Sequence, residues 1–239
     1  MTLVNVKPSD EFDFTPGKGD VLLIACGALA REIVDLIERN RWTAFDLQCL
    51  PAKWHNTPEK IVPAVREKIR AAKAHYKSIF VLYGDCGTGG MLDRLLAEEG
   101  VERIDGPHCY AFFSGNEDFA ARADDEFTAF YLTDYLARHF DKLIWAGLGL
   151  DRHPELLPLY FGNYTKIVYL AQTRDEDLAK KAFYASRKLG LEYEYRFTGY
   201  GELETGLQVR NGTYLTERDR KSTRLNSSHI QKSRMPSSA

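Results

Sequence analysis

The chain has 239 residues, of which 44% are hydrophobic and 28% charged, with 18 glycines. That composition fits one large or two small globular domains and excludes a fibrous or broadly disordered protein. Its longest apolar runs, such as Val21 to Ile24, are far too short to span a bilayer, and Met1 to Asp20 lacks the basic start and apolar stretch of a signal peptide, so a cytoplasmic protein with no membrane partner is expected.

In chain order, Val21 to Ile24 reads as a buried strand, followed by a helix whose apolar face carries Leu29, Ile33, Val34 and Ile37. A strand is predicted at Phe45 to Leu50, then a helix from Pro58 to about Tyr76 with Thr57 as its cap. Ile79 to Tyr83 reads as a strand and Met91 to Glu99 as a helix stopped by Gly100. Val101 to Ile104 reads as a further strand, Phe112 to Asp125 as irregular chain able to act as a lid, and Tyr131 to His139 as a helix. Leu143 to Ala146 is predicted as a strand, Lys166 to Ala171 as another, Glu176 to Leu189 as a helix and Glu192 to Thr198 as the last strand. Alternating strands and helices imply an α/β fold: a mostly parallel sheet with helices on both faces, in Rossmann-like or flavodoxin-like layering. Residues 20–216 are expected to form one domain, or two similar lobes meeting near 115–128, after an N-terminal extension over 1–19.

Net charge is −2, but Glu217 to Ala239 holds six basic and two acidic residues. The mildly acidic remainder offers no electrostatic footprint for nucleic acid. The tail, rich in Ser, Lys and Arg, resembles a vector-derived read-through peptide and is expected to be non-native or disordered, with the native C-terminus missing. A native basic tail is the alternative.

Ligands of a parallel sheet collect beyond the carboxyl ends of its strands, so the loops after each strand are the places to look. Four cysteines in a chain of this length do not make a disulfide scaffold. Cys26 ends the first strand, Cys86 lies in the loop Gly84 to Gly90, and Cys109 follows His108 after another strand. Cys49 falls inside an apolar run and is assigned to packing. Three thiols and an imidazole at one sheet edge suit two chemistries. They can bind zinc or anchor an iron-sulfur cluster through Cys26, Cys86, Cys109 and His108, or one thiolate can act as a nucleophile. Gly84, Gly87, Thr88 and Gly89 are candidates to cradle an anionic cofactor with backbone amides, although the loop lacks the spacing of a P-loop or dinucleotide fold. Asp151 and His153 are candidates for general acid/base catalysis, with ordinary helix entry before Pro154 as the alternative. His55 is placed to reach the same edge, and Glu32 and Asp134 to support a metal or thiol.

The strings LIACGALAREI, LPAKWHNTPEKI, VLYGDCGTGGMLDRLL, GPHCYAFFSG and YFGNYTKIVYLAQ resemble the prokaryotic family called domain of unknown function 1638, from about Val21 to Gly201. The resemblance implies a link to corrinoid-dependent methyl transfer or one-carbon metabolism. Three readings follow. The first is a metal-dependent enzyme acting on a small-molecule substrate. The second is a non-catalytic accessory protein that binds a corrinoid or a corrinoid protein. The third is a metal-free enzyme in which His108 activates Cys86 as the nucleophile.

Overall fold

The structure is a computed structural model describing residues 16–232, with side chains described through residue 216. Most of the expected N-terminal extension and residues 233–239 lie outside the described residues. The chain divides into two compact units between Leu203 and Glu204.

The first unit contains a four-stranded parallel sheet and a three-stranded parallel sheet, and its strands alternate with helices as an α/β fold requires. The first sheet is built from β1 (Val21–Cys26), β2 (Phe45–Leu50), β3 (Ser78–Leu82) and β4 (Glu102–Arg103), with α1 (Ala30–Arg39), α2 (Ile61–Ala72) and α3 (Met91–Glu99) in the crossovers. The strand order is β2-β1-β3-β4. Every residue of β1 is buried, as expected of a central strand covered on both faces. Truncating a side chain as enclosed as Leu23 to alanine would cost about 2–5 kcal/mol. Gly100, at φ 62°, ends α3 in the left-handed conformation that glycine adopts without penalty.

Between the sheets, α4 (Cys109–Ser114) and α5 (Asn116–Ala121) replace the irregular lid expected over Phe112 to Asp125. The change is physical: Ala111, Phe112 and Phe113 are buried, and Glu202 accepts hydrogen bonds from Asn116 N at 2.9 Å and Asn116 Nδ2 at 2.6 Å. The second sheet has the order β5-β6-β7, from β5 (Ala129–Leu132), β6 (Lys166–Ala171) and β7 (Glu192–Phe197). Its helices are α6 (Asp134–Phe140), α7 (Leu157–Phe161) and α8 (Glu176–Leu189). The helix expected from Tyr131 therefore begins later, because Ala129–Leu132 pairs in register with Lys166–Tyr169 as a strand.

The strand expected at Leu143 to Ala146 is absent. Asp141–Trp145 is a π-helical turn, and Ile144, Trp145 and Leu148 pack on the core around Leu132, Phe140, Ile167 and Tyr169. A short apolar run suits either a strand or a buried helical turn, and here it finds no strand to pair with. The final helix, α9 (Gly201–Lys232), continues through the basic segment from Glu217, which was expected to be disordered or non-native. Among the described residues, no helix is long and apolar enough to cross a membrane.

Asp134 ties the start of α6 to the end of β6. Its carboxylate accepts from Tyr169 Oη at 2.8 Å, Gln172 N at 3.0 Å, Thr173 N at 3.0 Å and Thr173 Oγ1 at 2.5 Å. These donors account for its burial, so Asp134 is a structural clasp. Glu32, in the first turn of α1, is buried, and its Oε2 has no hydrogen-bond partner. Burial, reinforced by the Asp134 charge and opposed by Arg138 and Arg31, pushes its carboxyl up to about 7.

Glu32 thus stays protonated in the folded chain where the unfolded chain has already ionised. Its effect on stability is negligible below the ordinary glutamate pKa and becomes a growing penalty as pH rises from about 4.5 to 7. Glu32→Gln is expected to leave stability near pH 4 unchanged and to raise it at pH 8, by a value on the order of 3 kcal/mol. Urea denaturation at the two pH values checks this; equal effects at both would contradict it.

Candidate functional site

In the order β2-β1-β3-β4, the chain leaves β1 toward one side of the sheet and later returns to place β3 on the other. The connections after β1 and β3 therefore diverge and leave a crevice at their carboxyl ends. Cys26 is the last residue of β1, and Tyr83 to Cys86 follow β3 directly. The topology thus sets these residues at the mouth of the crevice, with the loops after β2 and β4 supplying His55 and the His108-Cys109 pair.

Cys26 is buried, and its sulfur accepts from Ala28 N at 3.5 Å and lies 3.7 Å from His55 Nδ1. Cys86 is also buried and has φ 46°, a left-handed conformation that costs energy for a residue with a Cβ. It sits on a tight strand-to-helix connection, the kind of turn that can present a nucleophile at the top of a sheet. His55, on the 3-10 turn Ala52–Asn56, is exposed on one edge; its Nδ1 lies 3.7 Å from Cys26 Sγ, and Cys86 also acts on the imidazole. Interaction with Cys86 is the largest influence on the imidazole and raises its pKa above the ordinary histidine value; burial opposes it.

Cys109 completes the thiol group. Burial raises it well above an ordinary thiol, and the Cys86 and Cys26 charges push it further in the same direction. Burial likewise raises Cys26, against the hydrogen bond from Ala28 N and the influence of the nearby Tyr83 hydroxyl. The three sulfurs expected at one edge therefore share one electrostatic neighbourhood. Tyr83 Oη is buried beside Cys26 without a well-formed hydrogen bond, and burial and the nearby thiols push it far up. Burial and Cys26 also raise Tyr135 of α6, while burial, Cys109 and Cys86 raise Tyr110 of α4. Cys49, assigned to packing, lies on β2 with its thiol pushed up to about 12 by burial and Cys26.

The glycine-rich loop uses its donors internally. Asp85 accepts from Thr88 Oγ1 at 2.5 Å, Gly90 N at 2.9 Å and Gly89 N at 3.1 Å, and Thr88 is buried. Of the residues considered for an exogenous anion, Thr88 and Gly89 thus donate to the chain's own carboxylate. Gly84 serves packing: a Cβ there would meet the His108 backbone at 3.0 Å. Asp85 N donates to Gly106 O at 3.2 Å and Cys86 N to Pro107 O at 3.0 Å, which pins the Cys86 loop to the His108 loop. Arg103 secures that second loop by donating to Ile104 O at 2.8 Å and Gly106 O at 3.3 Å, while pairing with Asp93.

His108 is exposed, with its ring 6.3 Å from those of Tyr110 and Phe119. Burial of its inner edge and the neighbouring His55 lower its pKa, and Asp85 opposes them. Of the two histidines, His55 is the one whose basicity responds to Cys86. Asp151 and His153 follow a π-helical turn in place of the expected strand, and Asp151 pairs with Arg152 next to it. His153 pairs with Glu155 at 3.0 Å and is 59% exposed, which matches the helix-entry alternative. Among the described residues, no group of three or more His, Cys, Asp or Glu side chains is arranged to hold a metal ion. Cys26, Cys86, Cys109 and His108 do not form a ready cage as they stand.

Fold and site together define a parallel α/β protein with a thiol–imidazole centre at the switch point of its first sheet. The chain matches the family described as protein of unknown function (DUF1638) over residues 49–207, and it belongs to that family. The match takes in His55, Tyr83, Cys86 and Cys109 but begins after Cys26. No curated protein and no solved structure matches the chain.

Hydrogen bonds from Thr88, Gly90 and Gly89, strengthened by Arg103 and opposed by burial, hold Asp85 below the usual carboxylate range. Its stabilising effect is present above the unfolded aspartate pKa and is lost as pH falls through the lower folded value. Asp85→Asn is therefore expected to lower the thermal midpoint at pH 7 and to flatten the loss of stability below about pH 4. Thermal melts across that range test this; parallel curves for variant and wild type would contradict it.

Proposed function

We propose that the chain is a cysteine-dependent group-transfer enzyme in which Cys86 is the nucleophile and His55 its proton partner. The supporting observation is geometric: Cys86 is held at positive φ beyond the end of a parallel strand, in a thiol neighbourhood that His55 enters with Nδ1 3.7 Å from Cys26 Sγ, and Cys86 is the largest influence on that imidazole. Imidazole takes the thiol proton, the thiolate attacks an electrophilic carbon of a small-molecule substrate, and a sulfur–carbon bond forms. The leaving group departs with the bonding electron pair, and the His55 imidazolium returns a proton to it. Tyr83, Tyr110 and Tyr135 keep the surroundings neutral and water-poor, which strengthens the charge interaction between thiolate and imidazolium. Following the family resemblance, the substrate class is a carrier of methyl or other one-carbon groups, which a thiolate accepts at carbon.

A second reading rests on the convergence of Cys26 and Cys86 on Cys109, since mutual repulsion of thiolates is relieved by zinc or an iron-sulfur cluster. It requires the side chains to regroup, because no ligand cage stands ready among the described residues. Bound zinc would supply Lewis acidity and hold its thiolate ligands deprotonated.

The readings separate by experiment. Iodoacetamide at pH 7 is expected to alkylate Cys86 ahead of the other three cysteines, and His55→Ala to slow that reaction about tenfold or more. Mass spectrometry of time-resolved digests measures both. Indiscriminate labelling, or an unchanged rate in the variant, would contradict the nucleophile assignment. Stoichiometric, tight zinc uptake under anaerobic conditions that is lost in Cys109→Ser would favour the metal centre. An unreactive Cys86 together with tight corrinoid binding would assign the accessory role.

A further inference from the structure

A second region carries chemistry that the thiol centre does not use. At the end of α6, His139 leaves helical geometry at φ −113° and ψ 15°, and the chain continues into the π-helical turn Asp141–Trp145. Such departures recur at functional positions because they open a helix surface and turn side chains off their regular rows. Beside this one is a cavity of about 260 Å³ lined by Arg138, His139, Asp141, Lys142, Lys181 and Tyr184. It is smaller than the pockets of roughly 300–1,000 Å³ that enclose drug-sized ligands, and so suits a compact group.

The lining is strongly unbalanced in charge. Asp141 is already paired with Lys188 at 2.7 Å, and the Lys188 ammonium also lies 4.2 Å from the centre of the Trp145 ring. Among the described residues, Arg138, Lys142 and Lys181 form no ion pair with any acid. Arg138 also has a buried Nη1 with no acceptor, a donor left unsatisfied where protein interiors rarely leave one. The His139 ring lies 4.9 Å from that of Tyr135, tilted by 59°, and burial together with Arg138, Arg31, Lys142 and Lys181 lowers its pKa. Cations drawn from α6, the π-helical turn and α8 thus face one small volume whose lining carboxylate, Asp141, is held by Lys188.

We infer that this cavity binds a phosphate group, either free phosphate or the head of a phosphomonoester. The planar guanidinium of Arg138 offers the paired N–H geometry that matches two phosphate oxygens, and its orphaned Nη1 gains an acceptor. Lys142 and Lys181 supply point charges from the rim, and the Tyr184 ring borders the space into which the organic part of an ester would extend. The site is independent of the Cys86–His55 assignment and stands or falls separately from it.

The test uses the full chain titrated with sodium phosphate and with phenyl phosphate, against sodium chloride at matched ionic strength, by calorimetry and thermal shift. Saturable phosphate binding with a raised thermal midpoint, absent with chloride, is expected. Tighter binding of phenyl phosphate supports the site as a phosphomonoester subsite, and tighter binding of inorganic phosphate supports it as a free-anion site. The exposed pair Lys142→Ala/Lys181→Ala should weaken binding at least about tenfold, as should Arg138→Lys, which keeps the charge but loses the fork. Lys180→Ala, which removes an exposed cation paired with Asp177, should leave affinity unchanged. A phosphate response no greater than that to chloride, or wild-type affinity in the folded lysine double variant, would overturn the assignment.

Discussion

A parallel sheet sends the carboxyl ends of its strands to one edge, and the order β2-β1-β3-β4 makes neighbouring connections part company there. This constraint brings Cys26, His55, Cys86 and Cys109 together although they are scattered through the sequence. Each comes from a different crossover, and none could meet the others within a single supersecondary unit. The chemical consequence is that His55, from the connection after β2, meets Cys26 at the end of the central strand at 3.7 Å and is influenced by Cys86 from the connection after β3.

The loops hold this arrangement with their own polar groups. Asp85 fills the amide cradle that a glycine-rich turn otherwise presents to an anion, and the strained conformation of Cys86 is held from both sides. On one side stand the Thr88 and Gly90 contacts; on the other, Cys86 N is bonded to Pro107 O. Arg103 extends the support by binding carbonyls of the segment that carries His108 and Cys109. Rigid support of this kind suits a site whose reacting groups must stay aligned.

Much of the scaffold was legible in the sequence because its signals are local. The β-branched and aromatic runs mark β2 and β6 at their observed limits, and apolar periodicity with an αL glycine beyond the end marks α3 and α8. Leu143 to Ala146 misled because four apolar residues carry no period, and only the lack of a neighbouring strand decides their state. Within the site, the post-strand cysteines were visible as types at positions. The identity of the imidazole was not: His108 adjoins a cysteine in sequence, whereas His55 reaches the thiols only through the fold. Tyr83 and Arg103 were hidden for the same reason, although a tyrosine closing an apolar strand just before a glycine was the available signal for the first.

The central claim is that the Cys86 side chain raises the basicity of the His55 imidazole, and NMR titration of His55 tests it most directly. The wild-type protein should titrate above the ordinary histidine range. In Cys86→Ser, which removes the thiol partner and leaves the opposing effect of burial, the midpoint should drop to that range or below it. A His55 midpoint that is the same in both proteins would mean that the two side chains do not act together, and the account would be wrong at its centre.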